Sequence, residues 1–310
     1  MAKIVDIIIV NWNSGKATLQ ALGPYCKYTS KILTCNIIIV DNGSKDDSIN
    51  LLQNLNTTII FNESNVGFAK ACNQALEKCS GDYILLLNPD TISEPYVLEQ
   101  MVLFLNENSR FAAVGPAQVN SENHIERSCG RFPNFKNSLY EILGLSKVFP
   151  QYFQPNFLMK DWDHSSSMQV DHVMGSYMLL RRDIITTIGF MDQDYFLYME
   201  DIDLSRKIYK AGYKIYYDRK LIIHHQGASS GINNTSQRLF FFLRSRAIYW
   251  KKNFDTLSFL ILLFLSLTFE LLLRLINSLV IHNYKIRNIV KGYLFYFRSV
   301  PLILFNASNK

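Results

Sequence analysis

The stretch that most constrains the fold is residues 83–91, Tyr-Ile-Leu-Leu-Leu-Asn-Pro-Asp-Thr. Its first five residues carry no charge and include four large aliphatic side chains, which predicts a strand buried on both faces. Pro89 ends this strand, because proline cannot donate to a strand ladder and disfavours helical backbone at Asn88. Asp90 is therefore expected at the carboxyl end of a central strand, where open α/β sheets bind ligands. An ordinary strand-to-turn junction would have the same pattern.

The composition is that of a globular chain. Its 310 residues suffice for one large core or two modest ones, with 48% hydrophobic and 19% charged residues. The five cysteines form no CxxC pair, which argues against a zinc knuckle or a disulfide framework and favours a reducing compartment. Residues 1–3 lead directly into an apolar run, so no signal peptide is predicted and the body of the chain is expected in the cytosol.

Strand and helix patterns alternate through the first third of the chain. Strands are predicted at residues 4–10, 37–40, 57–61 and 83–87, and helices at 16–28, 69–79 and 95–106. This alternation predicts an α/β fold with a mainly parallel sheet and helices on both faces. Asn or Asp side chains follow three of these strands: Asn11 and Asn13, Asp41 and Asn42, and Asn88 and Asp90. A shared binding cleft is expected there, although turns also favour these residues.

The middle of the chain is less regular. Residues 115–171 contain scattered proline, asparagine and serine and predict a long insertion, partly helical near 138–145. Strand character returns at residues 170–180. Glu200 and Asp201 open a helical pattern that ends at Gly212, and short strands are predicted at 214–217 and 221–223.

Carboxylates and histidines at the ends of these elements are the candidate catalytic groups. A divalent cation is the best partner for a diphosphate, and Asp90 offers it one oxygen ligand. His224 is the preferred nitrogen ligand, with His225 as the alternative, and imidazole favours Mn²⁺ while leaving Mg²⁺ open. Asp201, beside Glu200 in the first turn of a helix, is placed to accept a proton. Such charges also serve merely to stabilise helix starts.

The character of the chain changes after Arg238. Residues 257–281 are apolar and long enough to span a bilayer. Ser266, Glu270, Arg274 and Asn277 fall on one helical face, however, and Glu270 and Arg274 are spaced to pair. This favours an amphipathic helix in the membrane interface over a spanning helix, with packing on a partner protein as a further alternative. Basic residues on both sides would meet anionic headgroups: Lys251, Lys252, Lys285, Arg287 and Lys291.

Seven short motifs follow one another along the chain. They are Val-Asn-Trp-Asn-Ser, Val-Asp-Asn-Gly-Ser-Lys-Asp-Asp-Ser, Asn-Val-Gly-Phe-Ala-Lys-Ala-Cys-Asn, Leu-Leu-Leu-Asn-Pro-Asp, Gly-Phe-Met-Asp, Glu-Asp-Ile-Asp-Leu and His-His-Gln-Gly-Ala-Ser-Ser. In this order they resemble the family 2 glycosyltransferases of the GT-A fold, and most closely the rhamnosyltransferase-like branch. The resemblance covers about residues 4–250. It implies a GT-A domain at 1–250. The final sixty residues lie outside it, and their apolar and basic pattern predicts a membrane-associated helical tail at 251–310.

The resemblance also implies roles for individual residues. It assigns nucleotide-sugar binding to Asn11, Asp41, Asn42, Gly67, Lys70, Asn73, Asn88 and Asp90, with Asp41 at the base and Asn11 lining its pocket. Asp90 and His224 match the metal ligands. Asp201 matches the general base, with Glu200 beside it at the acceptor pocket. Asn88 stands where the DxD pattern has its first aspartate. The chain then has one carboxylate fewer at this position, which affects the expected metal affinity more than the expected fold.

The implied activity is an inverting glycosyl transfer that depends on Mn²⁺ or Mg²⁺. The donor would be a nucleotide diphosphate sugar, with dTDP-rhamnose favoured, and the acceptor a hydroxyl of a lipid-linked or polysaccharide glycan at the cytoplasmic face of the cell membrane. Attachment there would be peripheral or by a single anchor. Arg244 and Arg246 are candidates to bind phosphates of a lipid-linked acceptor, or are membrane-surface charges.

Other classes of function fit the sequence less well. A nucleotidyltransferase or Rossmann dehydrogenase would carry a glycine-rich loop after the first strand, and residues 11–15 lack GxGxxG. Nucleic-acid binding is disfavoured, since the sheet-forming half contains no compact basic patch. A non-catalytic nucleotide-sugar-binding or membrane-scaffold protein of the same fold remains the alternative.

Overall fold

The structure, a computed structural model, describes residues 2–26, 28, 30–53, 55, 57–149, 151–153, 159, 161–226, 235–281 and 285–305. The chain divides into two compact units. Unit 1 comprises Met1–Arg131, Trp162–Gln193 and Glu200–Gly231, and unit 2 comprises Phe132–Asp161, Asp194–Met199 and Ile232–Lys310. The strands described below all lie in unit 1.

The strands are β1 Lys3–Asn11, β2 Leu33–Asp41, β3 Thr58–Phe61, β4 Tyr83–Leu87, β5 Thr91–Ile92, β6 Phe111–Val119, β7 Ile125–Glu126, β8 Cys129–Gly130, β9 Met168–Val170, β10 His172–Val173, β11 Tyr177–Arg181 and β12 Lys214–His225. The central sheet has the strand order β3-β2-β1-β4-β11-β6-β12-β5, with β7 beside β6 and β9 beside β12, and β8 and β10 form a separate ribbon. Strand β1 pairs parallel with β2 and β4, β2 pairs parallel with β3, and β6 pairs parallel with β12, while β11 runs antiparallel to both β4 and β6. The predicted mixed, mainly parallel sheet is confirmed.

Helices follow most of the strands. They are α1 Gly15–Leu22, α2 Ser48–Leu52, α3 Phe68–Leu76, α4 Pro95–Glu107, α5 Phe135–Ile142, α6 Leu145–Val148, α7 Arg182–Ile188, α8 Glu200–Lys210, α9 Thr235–Asn253, α10 Thr256–Leu267, α11 Phe269–Ile281 and α12 Ile286–Phe305. The helices predicted near α1, α3, α4 and α8 are confirmed. Helix α1 ends earlier than predicted, at Leu22, because Gly23 and Pro24 follow it.

The strand at residues 83–87 is buried at every position, as its unbroken apolar run predicts. It lies between β1 and β11, and its neighbours supply further aliphatic side chains such as Ile7, Ile9 and Leu179 to the core. The register pairs Asn11 of β1 with Asp41 of β2. The carboxyl ends of β1, β2 and β4 therefore lie at one edge of the sheet, and the polar residues that follow them lie there too.

Strand β6 falls partly in the stretch that the sequence predicts as an irregular insertion. Its Gly115-Pro116 pair is typical of a loop, since proline is rarely found within a central strand. The partner strand β12 accommodates the proline: Pro116 lies opposite Asp218, and the register shifts between Asp218 and Ile222. This irregularity also explains why β12 is predicted as two separate short strands. The strand predicted at 170–180 is likewise divided, into β9, β10 and β11.

Unit 2 is helical within the residues that the structure describes. Helices α10 and α11 are separated by the single residue Thr268, at which the helical i to i−4 hydrogen bonds continue. One stretch, Thr256–Val280, is long and apolar enough to cross a membrane by length and composition, and 28% of its most apolar window is buried. The predicted ion pair between Glu270 and Arg274 is confirmed at 2.8 Å. The predicted domain boundary at residue 250 falls within α9, and this division into two domains stays a prediction.

Candidate active site

The turn after β4 brings Asp90 to the end of β12. Strand β5 leaves this turn and pairs antiparallel with β12, so that Thr91 lies opposite His225. The backbone N–H of Gln226 donates to the carbonyl of Asp90 over 2.9 Å, which fixes the turn against the strand end. The His225 Nε2 atom then lies 3.4 Å from Asp90 Oδ1, with both side chains largely buried.

His225, and not the predicted His224, is thus the histidine beside Asp90. Successive side chains of a strand point to opposite faces, so only one of the two histidines can face this carboxylate. His224 is exposed to solvent. The predicted position of His224 beside Asp90 is wrong, because the pairing of β12 with β5 places His225 there. The sequence does not specify this pairing. Residues 227–230 of the same motif lie outside the described residues.

The two ring nitrogens of His225 each lie beside a carboxylate. Nε2 approaches Asp90, and Nδ1 lies 3.3 Å from Oε2 of Glu126, on β7. Burial alone would lower the pKa of His225, but the hydrogen bonds and charges of Asp90 and Glu126 outweigh it, so the pKa is raised.

The residues before β11 bind both Asp201 and the turn that carries Asp90. The Gly175 N–H donates to Asp201 Oδ2 over 3.1 Å, and the Ile202 N–H donates to Oδ1 over 2.8 Å. The carbonyl of the next residue, Ser176, accepts from the Asn88 N–H over 2.9 Å. Consecutive residues therefore bring Asp201 and the Asn88–Asp90 turn to one place. A carboxylate offers about four acceptor sites, so two on Asp201 remain for a substrate.

Glu200 differs from its neighbour Asp201 in its surroundings. The chain reaches it through Tyr198 and Met199, which both adopt left-handed backbone with φ of 70° and 71°. Such conformations are uncommon for these residues and are typical of functional sites. Glu200 is buried, and its Oε2 atom has no hydrogen-bond partner among the residues that the structure describes. Burial, with the charge of Asp201 as the second cause, raises the pKa of Glu200 to about 8.

Asn11 and Asp41 lie together at the carboxyl ends of β1 and β2, as predicted, but both are fully buried. Asn11 Nδ2 donates to Asp41 Oδ2 over 2.7 Å and to the Ser44 hydroxyl over 3.0 Å. The hydroxyls of Ser14 and Thr18 donate to Asn11 Oδ1. Asp41 also accepts from the Ser44 N–H. In this structure the pair fastens the two strand ends together, and contact with a base stays a prediction.

Asn42 and Gly67 shape the loop before α3. The buried Asn42 side chain donates to Asn65 Oδ1 and accepts from the Val66 N–H. Gly67 has φ of 90°, which favours glycine, and precedes the first residue of α3. Gly43, which directly follows Asn42, has φ of 75°, and a Cβ atom there would lie 2.6 Å from the Cα of Ser64. These contacts give Asn42 a structural role in the loop.

The two predicted nucleotide contacts on α3 have different surroundings. Asn73 Nδ2 donates to the carbonyl of Met191 over 2.7 Å, and the Met191 N–H donates back to Asn73 Oδ1 over 3.1 Å. Asn73 therefore holds the segment of the Gly-Phe-Met-Asp motif. Lys70 is exposed at the start of the helix, and a nucleotide contact by Lys70 stays a prediction.

The structure gives Arg246 a role other than the predicted phosphate contact. It is buried on α9 and ion-paired with Glu270, with Ser266 as a further hydrogen-bond partner. Its guanidinium group is thus already engaged by a carboxylate within unit 2. Arg244 is partly exposed and donates to the carbonyl of Asp194 over 2.8 Å, and its phosphate role stays a prediction.

Two of the five basic residues that are predicted to contact lipid headgroups have polar partners within the protein. Lys252 pairs with Asp194 over 2.7 Å, and Lys251 donates to the carbonyl of Ile303 over 2.6 Å. Lys285 and Arg287 at the start of α12 are exposed, as that prediction requires.

The residues at Asp90 fit a divalent cation. Two ligands at right angles, with bonds of about 2.1 Å, lie about 3 Å apart on one ion. The observed 3.4 Å between Asp90 Oδ1 and His225 Nε2 is close to that spacing. A carboxylate oxygen with an imidazole nitrogen suits Mn²⁺ and leaves Mg²⁺ open. The part of the chain that the structure describes contains no group of three or more His, Cys, Asp or Glu side chains that would hold a metal alone.

Sequence reasoning missed Glu126 and the linking role of Ser176. Glu126 belongs to a strand of two residues, which is too short for a periodic pattern. The serine acts through its carbonyl, which any residue provides, and through its hydroxyl, which accepts from Gln118 over 2.7 Å. The Gly175-Ser176 pair, small residues where a strand begins, is the one sequence signal for this loop.

Comparison with known proteins identifies the class of this fold and site. The family model for glycosyl transferase family 2 matches residues 6–189, more than half of the chain. The chain therefore belongs to glycosyl transferase family 2. The predicted GT-A fold and glycosyltransferase activity are confirmed.

Two relatives by sequence are named as a rhamnosyltransferase and as a polysaccharide synthase. An N-acetylglucosaminyl-diphospho-decaprenol L-rhamnosyltransferase of Mycobacterium tuberculosis is 22% identical over 246 residues, which cover 74% of this chain and 79% of that protein. A poly-beta-1,6-N-acetyl-D-glucosamine synthase of Staphylococcus aureus is 25% identical over 197 residues, which cover 62% of this chain and 42% of the synthase.

Similar solved structures share the fold. The mannosyltransferase PcManGT of Pyrobaculum calidifontis, in complex with GDP-Man and Mn²⁺, has a TM-score of 0.56 at 14% identity, over 99% of this chain and 89% of its own. GalNAc-T7 with UDP, GalNAc and Mn²⁺ has a TM-score of 0.57 at 15% identity, over 81% of this chain. This chain spans about half of GalNAc-T7, with 49% of it covered.

Proposed function

We propose that this glycosyltransferase is an inverting, metal-dependent enzyme that moves a sugar from a nucleotide diphosphate donor to a hydroxyl of a surface glycan precursor. The observation that carries the proposal is the loop at Gly175 and Ser176. Through consecutive residues it binds the Asp201 carboxylate and the turn that presents Asp90 to His225.

Asp201 is the proposed general base. An acceptor hydroxyl attacks the anomeric carbon, its proton passes to Asp201, and the bond from that carbon to the nucleoside diphosphate breaks. The Gly175 and Ile202 N–H groups hold the carboxylate in one orientation while leaving acceptor sites for the hydroxyl proton. Asp90 and His225 would hold a divalent cation, which when bound supplies positive charge to the leaving diphosphate. One base opposite the leaving group implies inversion of the sugar.

The proposed donor is dTDP-rhamnose, and the proposed acceptor is a lipid-linked or polysaccharide glycan. Support comes from the mycobacterial relative, whose name specifies L-rhamnose and a diphospho-decaprenol acceptor. The staphylococcal relative is named as a polysaccharide synthase, which supports a role in surface glycan synthesis.

The test is a panel of nucleotide sugars in which release of nucleoside diphosphate is measured with and without Mn²⁺, with membrane extract as acceptor. Asp201→Asn should lower turnover by about 10²- to 10⁴-fold and leave donor binding intact. The matched control is Asp183→Asn, because Asp183 also lies in the first turn of a helix and accepts the N–H of the next residue, over 2.9 Å. Donor binding without turnover in the unsubstituted protein would favour the non-catalytic alternative.

The chain is further proposed to lie on the cytoplasmic face of the cell membrane through unit 2. The polar face of α10 and α11 packs inward, where Ser266 and Glu270 contact Arg246 of α9. The opposite face exposes apolar side chains at helical spacing: Leu257, Leu260, Ile261 and Phe264 on α10, and Leu272, Ile276 and Leu279 on α11. The charged side chains of this stretch are paired within the protein and its outward face is apolar, which supports contact of that face with the membrane.

Vesicle co-sedimentation tests this attachment. The full chain should bind phosphatidylcholine vesicles that contain phosphatidylglycerol. The double variant Leu260→Asp with Phe264→Asp should bind at least about tenfold more weakly, because burial of each apolar side chain in the membrane contributes about 1 kcal/mol or more to the binding free energy. Phe61→Asp, at an exposed position of unit 1, is the control. Equal binding by the double variant would refute the apolar contact. Retention in the membrane after alkaline carbonate extraction would indicate a spanning helix instead.

A further inference from the structure

Glu126 contacts the ring nitrogen of His225 that faces away from Asp90. Its Oε2 atom lies 3.3 Å from Nδ1, while Nε2 lies 3.4 Å from Asp90 Oδ1. The imidazole is therefore held between two carboxylates, of which Asp90 is 7% exposed and Glu126 37% exposed at the side chain.

The sheet register delivers Glu126 to this position. Glu126 on β7 lies opposite Gln118 on β6, and Gln118 lies opposite Ile223 on β12. Opposed residues share a face, and side chains two residues apart on one strand share a face as well. His225, two residues after Ile223, therefore points to the same face as Glu126. His224 points to the other face, where this carboxylate cannot reach it.

We propose that Glu126 is a positioning residue that keeps the proton of His225 on Nδ1 and so leaves the Nε2 lone pair directed at the cation site with Asp90. A neutral imidazole has one donor and one acceptor nitrogen, and the partner of one nitrogen decides the role of the other. Histidine ligands of metals nearly always donate their second N–H to a carboxylate, a carbonyl or water, and loss of that partner weakens metal binding. This inference rests on the proposed function, in which Asp90 and His225 bind the cation.

The competing explanation is a plain surface pair. Exposed ion pairs contribute little to stability, and a glutamate that only touches a histidine would have no effect on a cation. The chain contains such a pair for comparison: Glu122 Oε2 lies 3.3 Å from His124 Nδ1, with both side chains about three-quarters exposed. The two pairs have the same atoms at the same distance, and only one adjoins Asp90.

The experiment titrates the full chain with Mn²⁺ in the presence of dTDP and follows free Mn²⁺ by electron paramagnetic resonance. Glu126→Ala should weaken Mn²⁺ binding by about 10- to 100-fold. Glu126→Gln, whose amide oxygen still accepts an N–H, should recover most of the affinity. Glu122→Ala should bind Mn²⁺ as the unsubstituted protein does. Thermal melting of each variant separates loss of the ligand geometry from loss of the fold.

Two results would overturn the inference. One is unchanged Mn²⁺ affinity in Glu126→Ala while His225→Ala loses it, which would leave the proposed metal site intact and remove Glu126 from it. The other comes from the unsubstituted protein: nitrogen NMR of His225 in the Mg²⁺-loaded state should show the Nδ1–H form, and the Nε2–H form would contradict the role of Glu126. Unchanged affinity in His225→Ala itself would instead count against the proposed function.

Discussion

Replacing Glu200 with glutamine should stabilise the protein, and the gain should grow with pH. The Glu200 side chain is buried beside Asp201, and within the described part of the chain its Oε2 atom has no hydrogen-bond partner. Its pKa is raised from the ordinary 4.5 to about 8, by burial first and by the charge of Asp201 second. The folded protein therefore keeps this proton up to about pH 8, while the unfolded chain loses it near pH 4.5.

The sign and size of the effect follow from this difference. Between the two pKa values the folded state holds one more proton than the unfolded state, so the free energy of unfolding falls as the pH rises. The contribution of Glu200 to that free energy is fully present below pH 4.5 and is lost as the pH rises towards 8. Each pKa unit corresponds to about 1.4 kcal/mol, so the loss is at most about 5 kcal/mol. Glutamine is neutral at every pH and does not incur it.

The assay is urea unfolding of the unsubstituted protein and Glu200→Gln at pH 5, 6.5 and 8. The difference in free energy of unfolding between them should increase steadily in favour of Glu200→Gln. Glu77→Gln, the same change at an exposed position after α3, is the control. A difference for Glu200→Gln that stays flat or shrinks with pH would refute the claim that the folded protein holds this carboxyl neutral.

Two substitutions elsewhere test the structural roles of single residues. Arg246→Met should cost about 1 to 3 kcal/mol, because the buried Glu270 carboxylate loses one partner and keeps only the partly exposed Arg274. Adding Glu270→Gln should restore most of that loss, and an unchanged unfolding midpoint in the single variant would contradict the role of the buried pair. Gly43→Ala should cost about 2 kcal/mol or more in the same unfolding measurement, since alanine resists φ of 75° and its Cβ would lie 2.6 Å from the Cα of Ser64.

Local patterns in the sequence predicted the parts of the site that depend on one element. The apolar run before Asn88 and Pro89 determines a buried strand, and Asp90 must follow it. Glu200 begins a helix because acidic residues favour helix starts and the apolar spacing continues behind it. These positions needed no knowledge of distant contacts.

Other parts depend on how separate strands pair, which the sequence does not state. Whether His224 or His225 faces Asp90 depends on a single step of register between β12 and β5. Strand β6 was hidden by its proline, which is accommodated by a register shift in another strand. Glu126 gains its role only through two successive strand pairings.

The central claim is that Asp90 and His225 together bind the cation that serves the donor diphosphate. Crystals grown with Mn²⁺ and dTDP, measured at the manganese absorption edge, test it most directly through the anomalous difference map. The account predicts one strong peak within about 2.3 Å of both the Asp90 carboxylate and His225 Nε2. A manganese peak at His224, or one bonded to neither Asp90 nor His225, would contradict it.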